Sequence, residues 1–166
     1  MKYLQVDDEF LSRLKSFAVF IPLIEIDGKD HILFEVRSDI VSQPGEVSFP
    51  GGGVECGEDF KGAAIRETME ELNLNRREIT YLGYSSMILT SNYRHVKSFY
   101  GRINKNLSEI KYNKEVESIF TVDLDFFKNN PPISYRAPYK MDFPKDFPFD
   151  KIPNGKDYKF QTGYNE

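Results

Sequence analysis

"FPGGGVECGEDFKGAAIRETMEELNL", residues 49–74, places Glu67, Glu70 and Glu71 close together shortly after a run of three glycines. Wound at about 100° per residue, the segment puts Ile65, Met69 and Leu72 on one face, which predicts a helix over residues 59–73. On that wheel the three glutamates cluster on the opposite side, beside Ala63 and Ala64. Glu67 stands three and four residues from its fellow acids, spacings at which like charges cost a helix a few tenths of a kcal/mol. A solvated acidic face is one explanation. The other is a hard divalent cation, which binds carboxylate, water and phosphate oxygens and turns the repulsion into attraction. The glycines favour the second, because backbone without Cβ can turn sharply and approach a ligand closely.

Outward from this segment the chain is strand-rich. Residues 7–16 predict a short amphipathic helix with Phe10, Leu11 and Leu14 as its stripe. "SFAVFIPLIEI" (16–26) and "HILFEVRS" (31–38) predict strands joined by the turn signal "DGKD". "GEVSFP" predicts a short strand ending at Pro50, and "EITYLGYSSMILT" and "VKSFYGRI" predict two more around the polar loop "SNYRH". "VESIFTVDLDFF" gives a late strand and a helical turn, and the proline- and aromatic-rich remainder reads as loop with a strand near 134–140. One central helix among many strands indicates an α/β domain on a mixed sheet. With no repeat or linker, the 166 residues are expected to form a single domain, 1–166.

Composition narrows the class. At 40% hydrophobic and 29% charged residues, the chain has the makeup of a globular protein with a real core. The net charge of -4 disfavours nonspecific nucleic-acid binding but not a small anion held through a metal. No segment approaches membrane-spanning length, and the acidic N-terminus does not resemble a signal peptide. The single cysteine, Cys56, excludes an internal disulfide and suits a reducing compartment, so a cytoplasmic location is expected. His31 and His95 lack partners at metal spacing, which argues against zinc, and His95 is expected in a surface loop.

Spacing decides between the acidic face and the metal site. From Gly52, five residues lead to Glu58, seven more to Arg66 and Glu67, and two further to Glu70 and Glu71. This resembles the Nudix hydrolase signature G-x5-E-x7-R-E-U-x-E-E-x-G-U, U being a bulky apolar residue. Chance agreement at these fixed positions is about 10⁻⁷ per starting point at average composition. Thr68 replaces the apolar residue and Asn73 the closing glycine; asparagine tolerates left-handed backbone and can still end the helix.

The resemblance implies a Nudix α/β/α sandwich with a mixed central sheet, its C-terminal helix missing or shortened in this chain. It implies hydrolysis of a nucleoside diphosphate derivative with Mg²⁺ or Mn²⁺. Glu67, Glu70, Glu71 and the carbonyl of Gly51 match metal ligands, Arg66 the arginine that orients the glutamates, and Glu58 a brace between the Gly52 loop and the helix. Glu67, Glu70 and Arg66 are the expected catalytic residues. A further carboxylate often comes from a late strand; Glu115 is the candidate, with Glu117 as its alternate.

Residues 36–52, "VRSDIVSQPGEVSFPGG", resemble the additional signature of the coenzyme A pyrophosphatase branch, through Arg37-Ser38, Gln43 and the run from Gly45 to Gly52. Ser42 stands where a second basic residue is common. Arg37, Ser38 and Gln43 are therefore expected to bind substrate, with Arg37 meeting the extra 3′-phosphate of coenzyme A through its planar fork. ADP-ribose, dinucleoside polyphosphates or damaged nucleoside triphosphates are alternative substrates, and a non-hydrolysing nucleotide sensor is a different class of alternative. The aromatics Tyr139, Phe143, Phe147 and Phe149 would wall a ligand pocket or simply pack together. A homodimer would cover sheet surface bared by a missing helix.

Overall fold

In the computed structural model, which describes residues 15–90, 94–135, 137, 138, 142–158, 164 and 165, the chain opens on β1 (Lys15–Ile26). Its strict alternation buries Ala18, Phe20, Pro22 and Ile24 on one face. Asp27 and Gly28 both take positive φ, 51° and 75°, as a two-residue hairpin turn requires, and return the chain into β2 (Lys29–Arg37). The short β3 (Val47–Ser48) pairs with β2, and β4 (Gly51–Gly53) pairs with the first half of β1.

Helix α1 (Phe60–Glu71) follows, then β5 (Ile79–Leu89) and β6 (Arg94–Ile103) as an antiparallel pair. β6 lies parallel to β1, and β7 (Val116–Asp123) returns to pair with β2. The result is a seven-stranded mixed sheet of order β3-β2-β1-β6-β5, with β4 on β1 and β7 on β2. Helix α2 (Leu124–Asn129) closes the run; it is six residues long, the helical turn foreseen after the late strand.

The two faces of β2 show the layering. Leu33 and Glu35 are buried on one face, and Glu35 faces the side where α1 brings Glu71. Phe34, pointing the other way, stacks on Phe49 and Phe120 at 4.9 and 5.4 Å and meets Phe127 of α2 at 6.2 Å. Helices thus lie on opposite faces of the sheet, an α/β/α sandwich. The core under α1 joins Ala63, Ala64, Ile65 and Leu72 to Ala18, Phe20, Ile24, Leu33 and Ile79.

The chain falls into two compact units, Met1–Asn129 and Asn130–Glu166. The local reason is visible in the second unit: Phe143, Phe147 and Phe149 pack on one another with centroids 4.6, 5.3 and 4.9 Å apart, and β8 (Ala137–Pro138) pairs with β9 (Tyr164–Asn165). Mutual packing is therefore the role those three rings show. Tyr139 lies outside the described residues, as does the helix expected at 7–16 apart from Lys15 and Ser16, which open β1.

Candidate active site

Helix α1 is held at both ends by local chemistry. Asp59 caps its start, Oδ1 accepting the Gly62 N–H at 2.6 Å. At its end Asn73 adopts φ 47° and the Leu74 N–H donates to the Met69 carbonyl at 2.9 Å, so asparagine does fill the glycine position of a left-handed stop. The buried side of the helix is wider than the helical wheel indicated. Ala63, Ala64, Thr68 and Glu71 are buried together with Ile65 and Leu72. Thr68 is buried with its hydroxyl satisfied, donating to the Ala64 carbonyl at 2.7 Å. Glu71 is therefore a core-facing acid, only 5% exposed, rather than a member of a solvent face.

Arg66 organises the other glutamates. Its Nε and Nη2 grip both oxygens of Glu58 at 3.1 and 3.2 Å, and Nη2 also donates to the Gly53 carbonyl at 3.0 Å. Its Nη1 donates to Glu67 Oε1 at 2.9 Å and Glu70 Oε2 at 3.3 Å. The bidentate bond to Glu58 joins the glycine loop to α1, the brace expected of Glu58, and holds the Glu58 carboxyl below the usual range. Gly52 lies so close to Glu67 that a Cβ there would overlap the carboxylate. At Gly51 the obstacle is backbone: a Cβ there would meet the Ala18 carbonyl and Val19 Cα. The Gly51 N–H donates to Glu71 Oε2 at 2.8 Å.

The result is a concentration of carboxyl groups that is partly shut off from water. Burial pushes the Glu71 carboxyl up to about 8, the charges of Glu35 and Glu67 adding to it while the Gly51 N–H and Arg37 oppose. Burial raises Glu67 as well, with Arg66 pulling it back. Glu70 is the exposed member, its side chain 56% accessible.

As they lie, Glu67 and Glu70 turn to Arg66 and Glu71 turns to Gly51, so among the described residues no three acidic, histidine or cysteine side chains are gathered as ligands of one ion. The donor chemistry fits a hard divalent cation nonetheless. The nearby groups are carboxylate oxygens, among them those of buried Glu71 and half-buried Glu67, opposed by the Gly51 N–H, Arg37 and Arg66.

Glu115 sits just before β7, and its charge is felt at Glu35 and Glu67. Its alternate, Glu117, is the extra residue of a bulge in β7, because Val116 faces Arg37 and Ser118 faces Val36. Arg37 spends Nε on the Ser42 carbonyl at 2.8 Å, and its own N–H and carbonyl bond Glu46 and Gly45. Its charge reaches Glu35 and Glu71, so it lies beside the acidic centre. Ser38 is buried, and its N–H donates to the Glu115 carbonyl at 2.9 Å. Gln43, at φ 59°, donates Nε2 to Glu46 at 3.0 Å and shapes the turn.

One residue lies elsewhere than the sequence indicated, and another escaped that reading. His95 lies in β6 rather than a loop, since the β5–β6 pair runs to Leu89 and His95; it is half-buried against the Phe60 ring at 4.9 Å. Glu35, 1% exposed, shares the inward face of β2 with Leu33. The signal was present: an acid two residues after a core leucine, in register with the alternation of "HILFEVR". Cys56 is exposed in the loop.

A family model described as NUDIX domain matches residues 15–128. Nudix hydrolase 3 of Caenorhabditis elegans is 35% identical over 115 residues, covering 66% of this chain and 48% of that protein. The peroxisomal coenzyme A diphosphatase NUDT7 of Mus musculus is 32% identical over 122 residues, covering 72% and 51%. The chain thus spans about half the length of these curated relatives. Among solved structures, a binary complex of a C. elegans Ap4A hydrolase superposes with a TM-score of 0.58 at 25% identity, covering 69% of this chain and 85% of that one.

Proposed function

The chain belongs to the Nudix family, and on that premise we propose that it is a divalent-metal-dependent pyrophosphohydrolase acting on coenzyme A or its derivatives. The observation that carries the hydrolase reading is the set of bonds from Arg66 to Glu58, Glu67, Glu70 and the Gly53 carbonyl. One guanidinium fixes the glycine loop and two of the three helix carboxylates in a single arrangement, which a merely solvated acidic face would not need.

Glu67, Glu70, Glu71 and the Gly51 carbonyl would hold Mg²⁺ or Mn²⁺, with Glu115 contributing from the start of β7. The ion, when bound, supplies neutralisation of the pyrophosphate and a lowered pKa for water. Arg66 holds Glu67 and Glu70 on one guanidinium nitrogen, with Glu67 against Gly52. Glu70, the exposed carboxylate, is the group best placed to take a proton from attacking water. Water adds to one phosphorus and the bridging oxygen leaves with the other phosphate, so coenzyme A gives 3′,5′-ADP and 4′-phosphopantetheine.

The substrate reading is supported by the braced loop between Arg37 and Gly52 and by the likeness to a relative described as a coenzyme A diphosphatase. The position of Arg37 modifies one expectation. Its field at Glu35 and Glu71 favours a contact with the pyrophosphate over one with the distant 3′-phosphate. The likeness to a C. elegans Ap4A hydrolase makes dinucleoside polyphosphates the second reading.

A panel assay with Mg²⁺ against coenzyme A, ADP-ribose, diadenosine tetraphosphate and oxidised dGTP, with products identified by mass, tests both. Release of 3′,5′-ADP as the preferred reaction supports the proposal. Preference for diadenosine tetraphosphate or ADP-ribose, with coenzyme A untouched, overturns the substrate and leaves the hydrolase.

A further inference from the structure

We propose that Glu35, on β2 and outside the glutamate-rich helix, is a member of the cation-binding set, holding the ion or one of its waters through Oε2. The proposal rests on the metal-dependent reading above and extends it to a residue that lies outside the helix signature.

Glu35 is 1% exposed in the middle of a sheet, its backbone paired to Ser48 on one side and Ile119 on the other. It cannot swing out to water. Oε1 accepts a hydrogen bond from the Ser48 hydroxyl at 3.0 Å, which fixes the plane of the carboxylate. Oε2 is buried and has no partner among the described residues. The charges closest in effect are mostly of its own sign: Glu115 and Glu67 act on it, and it acts on Glu71. The Arg37 charge opposes them, and that side chain's Nε is already bonded to the Ser42 carbonyl.

A buried carboxylate oxygen without a donor is strongly disfavoured unless the group takes up a proton or a cation satisfies it, and burial does push Glu35 up from its ordinary value. Here the carboxylate that carries the unsatisfied oxygen lies within electrostatic reach of Glu67, Glu71 and Glu115, the groups already assigned to an ion. The Ser48 bond gives the arrangement its logic, since one oxygen is spent on orientation and the other is left for the centre. Ser48 comes from the segment "GEVSFP", so that loop would help shape the metal site as well as the substrate site.

Mn²⁺ binding to the full chain, measured by titration calorimetry without nucleotide, tests this independently of activity. Glu35→Gln keeps the shape of the side chain and an oxygen for Ser48 while removing the charge. It should weaken Mn²⁺ binding at least tenfold, with an EDTA melting temperature no lower than that of the unaltered protein. Ser48→Ala, which frees Oε1 but keeps the charge, should weaken binding severalfold and serves if the first variant does not fold. Unaltered Mn²⁺ affinity in Glu35→Gln, beside a clear loss in Glu67→Gln, would overturn the proposal and make Glu35 a buried structural acid. Unaltered affinity in both variants would overturn it together with the metal assignment of α1.

Discussion

The backbone N–H of Gly51 donates to Glu71 Oε2 at 2.8 Å, tying the strand that pairs with β1 to the last turn of α1. Two parts of the signature that sequence separates by a loop and a whole helix are thereby one object. Gly51 can come this close only because it lacks a side chain, and Glu71 can remain buried because a backbone donor meets it.

The two neighbouring glycines should fail differently when given a methyl group. In Gly51→Ala the Cβ meets the backbone of Ala18 and Val19, which cannot rotate away. A loss of about 1–3 kcal/mol in urea unfolding is expected. In Gly52→Ala the Cβ meets only the end of the Glu67 side chain, which can move. Stability should stay within about 0.5 kcal/mol of the unaltered protein, while turnover falls at least tenfold because Glu67 is displaced. Equal stability losses in the two variants, or full activity in Gly52→Ala, would contradict this geometry.

Metal and pH should be linked through Glu71. Its folded-state value of about 8 lies above the ordinary 4.5, so between these values the folded protein holds a proton that the unfolded chain has released. By linkage, that group's contribution to stability without metal is fully present below pH 4.5 and is lost as pH rises towards 8. A cation bound by the ionised centre acts the other way, because protons compete with it. The rise in melting temperature on replacing EDTA with Mn²⁺ should therefore grow from pH 5.5 to pH 8. A rise of the same size at both pH values would contradict the linkage.

Much of this was legible before any coordinates. The alternation in residues 16–26, the turn at Asp27-Gly28 and the helix near 59–73 follow from local rules and are observed within a residue or two. The resemblance implied that Glu58 braces the glycine loop to the helix, and the structure supplies Arg66 as its partner. What stayed hidden was set by distant partners. Three consecutive glycines have no strand propensity, and β4 exists because Phe17–Val19 offers them an open edge. The burial of Glu71 and Thr68 could not come from a helical wheel, which assumes one covered face. Here the sheet covers a broader arc and supplies Gly51 and Glu35 as neighbours.

Arg37 offers a test of where the substrate's phosphates lie. Losing a charge-assisted hydrogen bond costs about 1.5–3 kcal/mol, or roughly ten- to a hundredfold in kcat/KM. Because its field reaches Glu35 and Glu71, Arg37→Ala should penalise coenzyme A and dephospho-coenzyme A equally. A loss confined to coenzyme A would return Arg37 to the 3′-phosphate.

The account stands most directly on Glu70, the exposed carboxylate that Arg66 holds at 3.3 Å. Its replacement by glutamine disturbs no core contact, so folding is not at issue, while a proton acceptor beside the reacting water is typically worth about 10²–10⁴ in rate. Turnover of coenzyme A by Glu70→Gln at saturating Mg²⁺, with the circular dichroism of the unaltered protein, is the measurement. A fall of at least about a hundredfold is predicted. Turnover near that of the unaltered protein would remove the α1 carboxylates from the chemistry and contradict the account.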